Sequence, residues 1–259
     1  SAEIHTLTSS KDWQNTLWSL KSFYFYSKQN YSLCIHDDGS LTDIEIYELL
    51  KHFPNARIVR RAYADRIIGE HLEKFPNLLK LRQSNPFSLK VFDFLIFSNA
   101  DRIVYIDSDV LFFSSPDDLL SRVNDPTYFK NTFNKDWTYG YSPSLEELKV
   151  EVNFPVVPLI NTGLGLLHKV SIDFEQIEVF LNIPGITDHP YGGRSEQTIT
   201  ALSSCSYGFD FLPSEYDVTL EKSSLDDVCK HYVSPIRHLM YKEGFRKLSY
   251  QSFLNNLLG

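Results

Sequence analysis

The stretch Ile103-Val104-Tyr105-Ile106-Asp107-Ser108-Asp109-Val110 joins a short apolar run to two carboxylates. Its β-branched and aromatic side chains suit a strand buried on both faces of a sheet. In extended chain, residues two apart project to the same side, so Asp107 and Asp109 are expected to face one way. Two carboxylates so placed repel each other unless a cation sits between them. A hard divalent ion, Mn²⁺ or Mg²⁺, satisfies both and can bridge to a diphosphate. The spacing alone is weak, because about one Asp-x-Asp is expected by chance among this many aspartates. A strand end capped by turn-forming aspartates is the plainer alternative.

The chain before this stretch sets its context. Residues 3–7 read as a first strand, and residues 12–26 as a helix with Trp13, Leu17, Leu20 and Tyr24 spaced by three and four. Residues 31–36 read as a second strand, 42–53 as a helix closed by Pro54, and 56–60 as a third strand. This β-α-β-α-β order implies an α/β fold with a mostly parallel sheet and helices on both faces. Ligands in such sheets bind at the carboxyl ends of the strands. Asp37 and Asp38 stand at one such end, within Asp37-Asp38-Gly39-Ser40, and Leu7 and Thr8 stand at another. Asp-Gly is ordinary turn chemistry. The alternative is a carboxylate that hydrogen-bonds a nucleoside base or ribose, as the acid of dinucleotide-binding folds does.

Residues 64–80 read as a charged helix, and residues 86–98 as a buried one with Phe87, Val91, Phe94 and Leu95 apolar. Lys90 lies within it, and a snorkelling surface lysine is its simplest reading. After Pro116 the β-α rhythm breaks into strand-like pieces, an aromatic loop over 128–141 and an acidic helix around Glu146. Residues 159–167 form an apolar strand interrupted by Asn161 and Gly163, and glycine in a strand marks a bulge or a close backbone approach. Residues 190–193 are turn-rich and lead into a helix opening at Ser195-Glu196-Gln197, with Ser195 as its N-cap. Residues 209–212 read as a strand. His231 is a lone histidine in strand-like context, and residues 245–258 form an amphipathic tail helix.

The 259 residues, 42% hydrophobic and 14% aromatic, suffice for one α/β domain with a full core. One domain over 1–259 is expected, with a nucleotide-sugar-binding half over 1–110 and a more variable acceptor-binding half over 111–259. The net charge of −8 argues against nucleic acid or an anionic membrane as the main partner. An anion site must then be built locally from a few lysines and arginines. A peripheral membrane contact stays open, but no apolar run approaches the length of a spanning helix. Cys34, Cys205 and Cys229 lack metal-ligand spacing and read as reduced core thiols of a cytoplasmic protein. The start at Ser1, without Met or a signal peptide, suggests a trimmed N-terminus.

Taken together, these residues resemble glycosyltransferases of the GT-A (Rossmann-like) fold, most closely those of family 8. Asp107-Ser108-Asp109 matches the Asp-x-Asp metal motif with its preceding strand, which implies that Asp107 and Asp109 bind metal and that Asp107 and Ser108 also meet the nucleotide. Lys90 stands where that family carries a basic residue that meets the donor. Asn161-Thr162-Gly163 resembles its donor-sugar strand, and Glu196-Gln197 its Asp-Gln pair at the reacting centre. The stretch from His231 to Arg237 resembles its late motif, in which the histidine is the third metal ligand and the base meets the phosphates. Ser234 stands in place of a glycine there, His238-Leu239 in place of Pro-Trp, Glu196 in place of Asp and Lys90 in place of Arg. The stretch from His36 to Ser40 looks instead like family 2, whose members invert.

The resemblance implies a metal-dependent transferase with Mn²⁺ or Mg²⁺, a nucleotide-sugar donor such as a UDP-sugar, and a carbohydrate or glycoconjugate acceptor. Gln197, an amide and a poor base, favours retention. Glu196 or Asp188 would be the base under inversion. An aspartate-nucleophile phosphatase also places Asp-x-Asp after an apolar strand, but near its first strand. A nucleotidyltransferase should carry a Gly-rich basic loop after strand one, and residues 5–12 have none. A binding module that never turns over nucleotide-sugar is the remaining alternative.

Overall fold

A computed structural model describes residues 1–187, 192–223 and 227–250, without the side chains of 192, 193 and 250. The first half alternates up to β3 and then runs through three helices to β4: β1 (Ala2–Thr8), α1 (Trp13–Ser27), β2 (Ser32–Asp37), α2 (Asp43–His52), β3 (Arg57–Val59), α3 (Arg61–His71), α4 (Pro76–Ser84), α5 (Leu89–Phe97) and β4 (Arg102–Ile106). Then come β5 (Val110–Phe112), α6 (Asp117–Asn124), β6 (Asn131–Lys135), α7 (Leu145–Glu151), β7 (Ile160–His168), α8 (Phe174–Phe180), α9 (Gly192–Tyr207), β8 (Phe209–Phe211) and β9 (Cys229–His231). Helical turns follow from Arg237 to Tyr250.

Seven strands form one sheet in the order β3-β2-β1-β4-β7-β6-β8. Strands β3, β2, β1 and β4 run parallel. β7 runs against β4 and β6, and β8 runs with β6, so β7 alone opposes the common direction. This is the α/β, mostly parallel arrangement expected, and strands from both halves of the chain share the sheet. Alternation in β4 splits the core. Ile103 and Tyr105 pack with Phe92 and Phe94 of α5 and Ile199 of α9. Val104 and Ile106 pack with Leu20 and Phe23 of α1 and Leu119 of α6.

Local chemistry explains the element ends. Thr42 caps α2 in a capping box with Glu45. The single helix expected over 64–80 is two, because Pro76 cannot continue α3 but starts α4, where a missing N–H costs nothing. The expected aromatic loop over 128–141 contains β6, whose Asn131 and Thr132 mask the strand pattern. Ser195 does not cap α9, since the helix starts three residues earlier at Gly192, and its hydroxyl donates to the Ile186 carbonyl at 2.7 Å. The tail is helical to Tyr250, and the rest of the expected tail helix lies outside the described residues, as do Asp188 and part of the 190–193 turn.

Arg82 and Asp93 join α4 to α5 through two hydrogen bonds of 2.9 Å, with Arg82 2% exposed and Asp93 fully buried. Burial pushes the Asp93 carboxyl above its usual range even against Arg82. Removing one member strands the other charge in the interior. Arg82→Leu should therefore cost about 3–5 kcal/mol in urea unfolding, and the Arg82→Leu/Asp93→Leu double variant much less. A single-variant cost within about 1 kcal/mol of zero would show that the pair does not hold the two helices together.

Candidate active site at the carboxyl end of the sheet

The decisive carboxylates sit on a turn, not on extended chain. β4 ends at Ile106, and the Val110 N–H donates to the Asp107 carbonyl at 3.2 Å. The turn, rather than strand alternation, brings both carboxylates to one place. The chain then pairs β5 antiparallel with β9, setting Val110 opposite His231, while the Tyr232 N–H donates to the Asp109 carbonyl. This two-stranded ribbon delivers His231 to the aspartates. One ligand atom from each of Asp107, Asp109 and His231 lies within 4.8 Å of the others.

The histidine is oriented from behind. Asn161 Oδ1 lies 3.0 Å from His231 Nδ1 and also accepts the Gly163 N–H at 3.0 Å. With Nδ1–H so engaged, Nε2 points at Asp109 Oδ1, 3.1 Å away. Gly163 is obligatory here, since a Cβ on it would sit 2.2 Å from His231 Cε1. A carboxylate, a second carboxylate and an imidazole held by an outer amide are the donor set that suits Mn²⁺ or Mg²⁺, so the residues present fit such an ion.

Positive charge surrounds this acidic centre. Arg237 lays Nη2 at 2.5 Å and Nε at 3.1 Å from Asp109 Oδ2, and Nη1 at 3.3 Å from Asp12. Burial alone would raise the Asp109 carboxyl, but His231 and Arg237 hold it well below the usual range. Burial likewise disfavours charge on His231, and Asp109 reverses that to raise it. Lys90 is not a snorkelling lysine. It is 4% exposed, its Nζ 2.9 Å and 3.1 Å from the Asp107 oxygens and 3.0 Å from the Thr162 carbonyl. Burial opposes its charge, yet Asp107 and Glu196 keep it above the ordinary lysine range.

Glu196 lies beneath this layer, 3% exposed, accepting from Thr162 Oγ1 at 3.1 Å and Thr200 Oγ1 at 3.3 Å. Burial lifts its carboxyl to about 7 in spite of Lys90, 3.9 Å away. Gln197 points the other way. Its Nε2 donates to Asp136 Oδ2 at 3.2 Å, and Asn161 Nδ2 donates to the same oxygen at 2.9 Å.

A cavity of about 230 Å³ opens beside the metal-ligand group, lined by Leu7, Thr8, Asp12, Asp38, Phe87, Lys90, Asp107, Ser108, Asp109, Ser234 and Arg237 among others. Of the paired acids, Asp38 lines it and Asp37 does not. Asp37 is 3% exposed and closes its own loop, accepting from the Gly39 and Leu41 N–H groups at 2.8 and 3.1 Å. Phe87, expected in the core, is half exposed at the cavity wall, on a 3₁₀ turn before α5. Asp12, Phe87 and Asp136 are site residues that sequence reasoning missed. Asp12 is hidden as the residue before a helix, and Asp136 as one acid in an aromatic run. A larger cavity, about 840 Å³, opens elsewhere, between Lys21, Tyr24, Tyr31 and Phe53, and holds none of these groups.

No protein-family model and no curated protein matches the chain. Solved structures do. The galactosyltransferase LgtC, in complex with donor and acceptor sugar analogues, is 13% identical, with a TM-score of 0.58 over 90% of this chain and 87% of that one. Mouse xyloside xylosyltransferase 1 is 13% identical, with a TM-score of 0.61 over 91% and 99%. Core-mannan synthase A from Aspergillus fumigatus, in a Mn/GDP form, is 11% identical, with a TM-score of 0.53 over 82% and 73%. The chain therefore has the GT-A glycosyltransferase fold.

Asn161→Ala should leave the fold intact but free His231 to rotate, weakening Mn²⁺ binding about 10–100-fold, as loss of an outer-shell partner does. Titration of Mn²⁺ followed by electron paramagnetic resonance measures this, and unchanged affinity would remove Asn161 from the metal assembly.

Proposed function

We propose that this chain is a metal-dependent glycosyltransferase, of family 8 type, that moves a sugar from a UDP-sugar to a hydroxyl of a carbohydrate or glycoconjugate with retention of configuration. The single observation that carries the proposal is the meeting of Asp107, Asp109 and His231 beside a cavity flanked by Lys90 and Arg237, in a GT-A fold. A Mn²⁺ or Mg²⁺ ion held by those three residues would neutralise the diphosphate leaving group, the main electrostatic obstacle to the reaction.

The chain's own residues supply the rest. Leu7, Thr8 and Asp38 receive the nucleoside, with the Asp38 carboxylate meeting base or ribose and the exposed Phe87 ring offering a stacking face. Ser108 lines the same wall. Arg237 meets the phosphates, since a cation among the aspartates takes over the charge that Arg237 balances on Asp109. Lys90 holds Asp107 in place and adds positive charge on the diphosphate side. Asn161 acts by positioning His231, and Thr162 and Gly163 form the close-packed floor on which donor sugar lies. Residues 1–110 supply most of the nucleotide side, and residues 111–259 face the acceptor. The three free cysteines fit a reducing, cytoplasmic setting, and no helix among the described residues is long and apolar enough to cross a membrane.

Retention rests on Gln197. Both its Nε2 and Asn161 Nδ2 point at Asp136, so the Gln197 carbonyl oxygen is the end left for the sugar. An amide oxygen stabilises positive charge at the anomeric carbon but does not deprotonate an acceptor. Glu196, covered by Thr162 and beside Lys90, sets the position of that lysine instead.

A thermal-shift panel of nucleotide-sugars tests the donor and the metal together. UDP-sugars with Mn²⁺ should stabilise the wild-type chain and leave Asp109→Ala unmoved, while each component alone does little. Equal shifts in the two proteins would sink the three-ligand site, and no shift with any nucleotide-sugar would sink the transferase reading.

Proton NMR of the product reads the stereochemistry. The anomeric configuration should match the donor's, and Gln197→Ala should lose turnover while keeping UDP affinity. An inverted product would overturn retention, since inversion needs a carboxylate base in place of the Gln197 amide.

A further inference from the structure

A second cluster of ligand-type side chains lies inside the sheet, away from the proposed active site. His5 on β1 sits directly opposite Cys34 on β2, and His36 lies two residues along β2, on the face that Cys34 occupies. All three are fully buried. His5 Nδ1 is 2.9 Å from His36 Nε2, Cys34 Sγ is 3.3 Å from the same Nε2, and the three atoms lie within 4.8 Å of one another. Behind His5, Glu3 Oε2 stands 3.1 Å from Nε2 and is held in turn by the Asn99 N–H, while Arg57 grips the other oxygen at 2.8 Å.

The partners of this cluster assign its protons and leave one ring nitrogen, His36 Nδ1, without a partner among the described residues. Glu3 is a carboxylate, held down to about 2: burial opposes that, but His5, Arg57 and the Asn99 N–H outweigh it. His5 therefore carries its proton on Nε2 and turns a bare Nδ1 toward His36. His36 Nε2–H then donates to His5 Nδ1, and the Cys34 thiol, 3.3 Å from the same nitrogen, keeps its own proton. If His36 takes the other tautomer, two nitrogen lone pairs face each other at 2.9 Å. Nδ1 of His36 has no partner among the described residues in either case. Phe94 and Phe97 wall the cluster with rings 4.6–6.2 Å from the imidazoles.

We propose that His5 Nδ1, His36 Nε2 and Cys34 Sγ form a three-coordinate site for a soft monovalent cation, copper(I), with Glu3 as the outer partner that fixes the His5 tautomer. Two imidazoles and a thiolate are soft-to-intermediate ligands that select such ions over Mg²⁺ or Mn²⁺. A carboxylate on the far nitrogen of a ligating histidine is the usual orienting arrangement. Charge decides the valence. With Cys34 as thiolate, Glu3 negative and Arg57 positive, the cluster carries one net negative charge. A monovalent ion neutralises it, whereas a dication leaves an uncompensated charge in a dry interior. The coordination number agrees, since these are three ligands with no accessible fourth position. Metal–nitrogen and metal–sulfur bonds of about 2.0 and 2.3 Å need trigonal N···N and S···N separations of about 3.5 and 3.7 Å, so the side chains open by about half an ångström. Binding releases the Cys34 proton to solvent, a proton that burial otherwise holds up to about 12. The ion would tie β1 to β2 below the strand ends that carry Thr8 and Asp38.

Anaerobic titration of the full chain with copper(I) against a chromophoric copper(I) chelator tests this, on native protein and during refolding from urea. One ion per chain should be retained in both the wild type and Asp109→Ala, which keeps this site distinct from the proposed active site. Cys34→Ala and His36→Gln should each weaken retention at least tenfold. Because buried variants can fail to fold, X-ray absorption on the copper-loaded wild type decides independently. One sulfur and two nitrogens at bonding distance are expected. No retained copper, a shell without sulfur, retention unchanged in a folded Cys34→Ala, or preferential retention of four-coordinate Zn²⁺ would each overturn the proposal.

Discussion

The buried carboxylate of Asp109 is the constraint to which the rest of the site answers. At 3% exposure its charge is costly unless opposite charge and hydrogen bonds surround it. Two cationic side chains do so, and both come from the far end of the chain. The β5–β9 ribbon exists at the one place where it can bring them, pairing Val110 with His231 and leaving Arg237 one helical turn further on. Gly163 and Gly244 make room for that return. A Cβ on Gly163 would meet the His231 ring, and one on Gly244 would meet Leu111 of β5 at 2.5 Å. The late segment is thus bound to the first half by electrostatics at its tip and by the small apolar cluster of Leu111, Phe113, Tyr232 and Met240 behind it.

That dependence explains what was legible in the sequence. The parallel half was readable where a strand is an apolar run, as β4 is, and where a helix carries its own start and stop, as α2 does with Thr42, Glu45 and Pro54. The candidate ligands were readable as residue types in a recognisable order. Their geometry was not. Strand periodicity suggested that Asp107 and Asp109 face one way, but the turn closed by Val110 does that work, and a turn of this kind depends on contacts with β7 and β9. Asp37 and Asp38 are adjacent in sequence with the same chemistry, and the loop's N–H groups together with Arg60 hold Asp37 inward. Asp136 was hidden because β6 has a polar pattern. Its Asn131 is buried and hydrogen-bonded to Ser171 and Ser204, so the periodicity that marks a strand is absent. Glu196 lies in the stretch Ser195-Glu196-Gln197 expected to open a helix, and nothing local signals that the helix opens earlier, at Gly192, and buries it.

The carboxylates of the site divide by their partners, and that division shapes the proposed chemistry. Asp107 and Asp109 are paired at the cavity wall with lysine, histidine and arginine. Glu196 is drawn toward neutrality by burial and covered by Thr162, so its influence reaches the cavity through Lys90, whose Nζ it shares with Asp107. Any change at Glu196 therefore moves the Lys90 cation beside Asp107, and a loss of activity there would not by itself identify a base. Asp136 belongs to neither group. It is half buried, and two amide N–H groups converge on one of its oxygens while the Trp137 N–H takes the other. Asp136 thus holds the Gln197 and Asn161 amides in one orientation. A single carboxylate thereby aligns two side chains, Gln197 and the Asn161 that holds His231. His231, Asn161, Asp136 and Gln197 are in this way parts of one hydrogen-bonded unit.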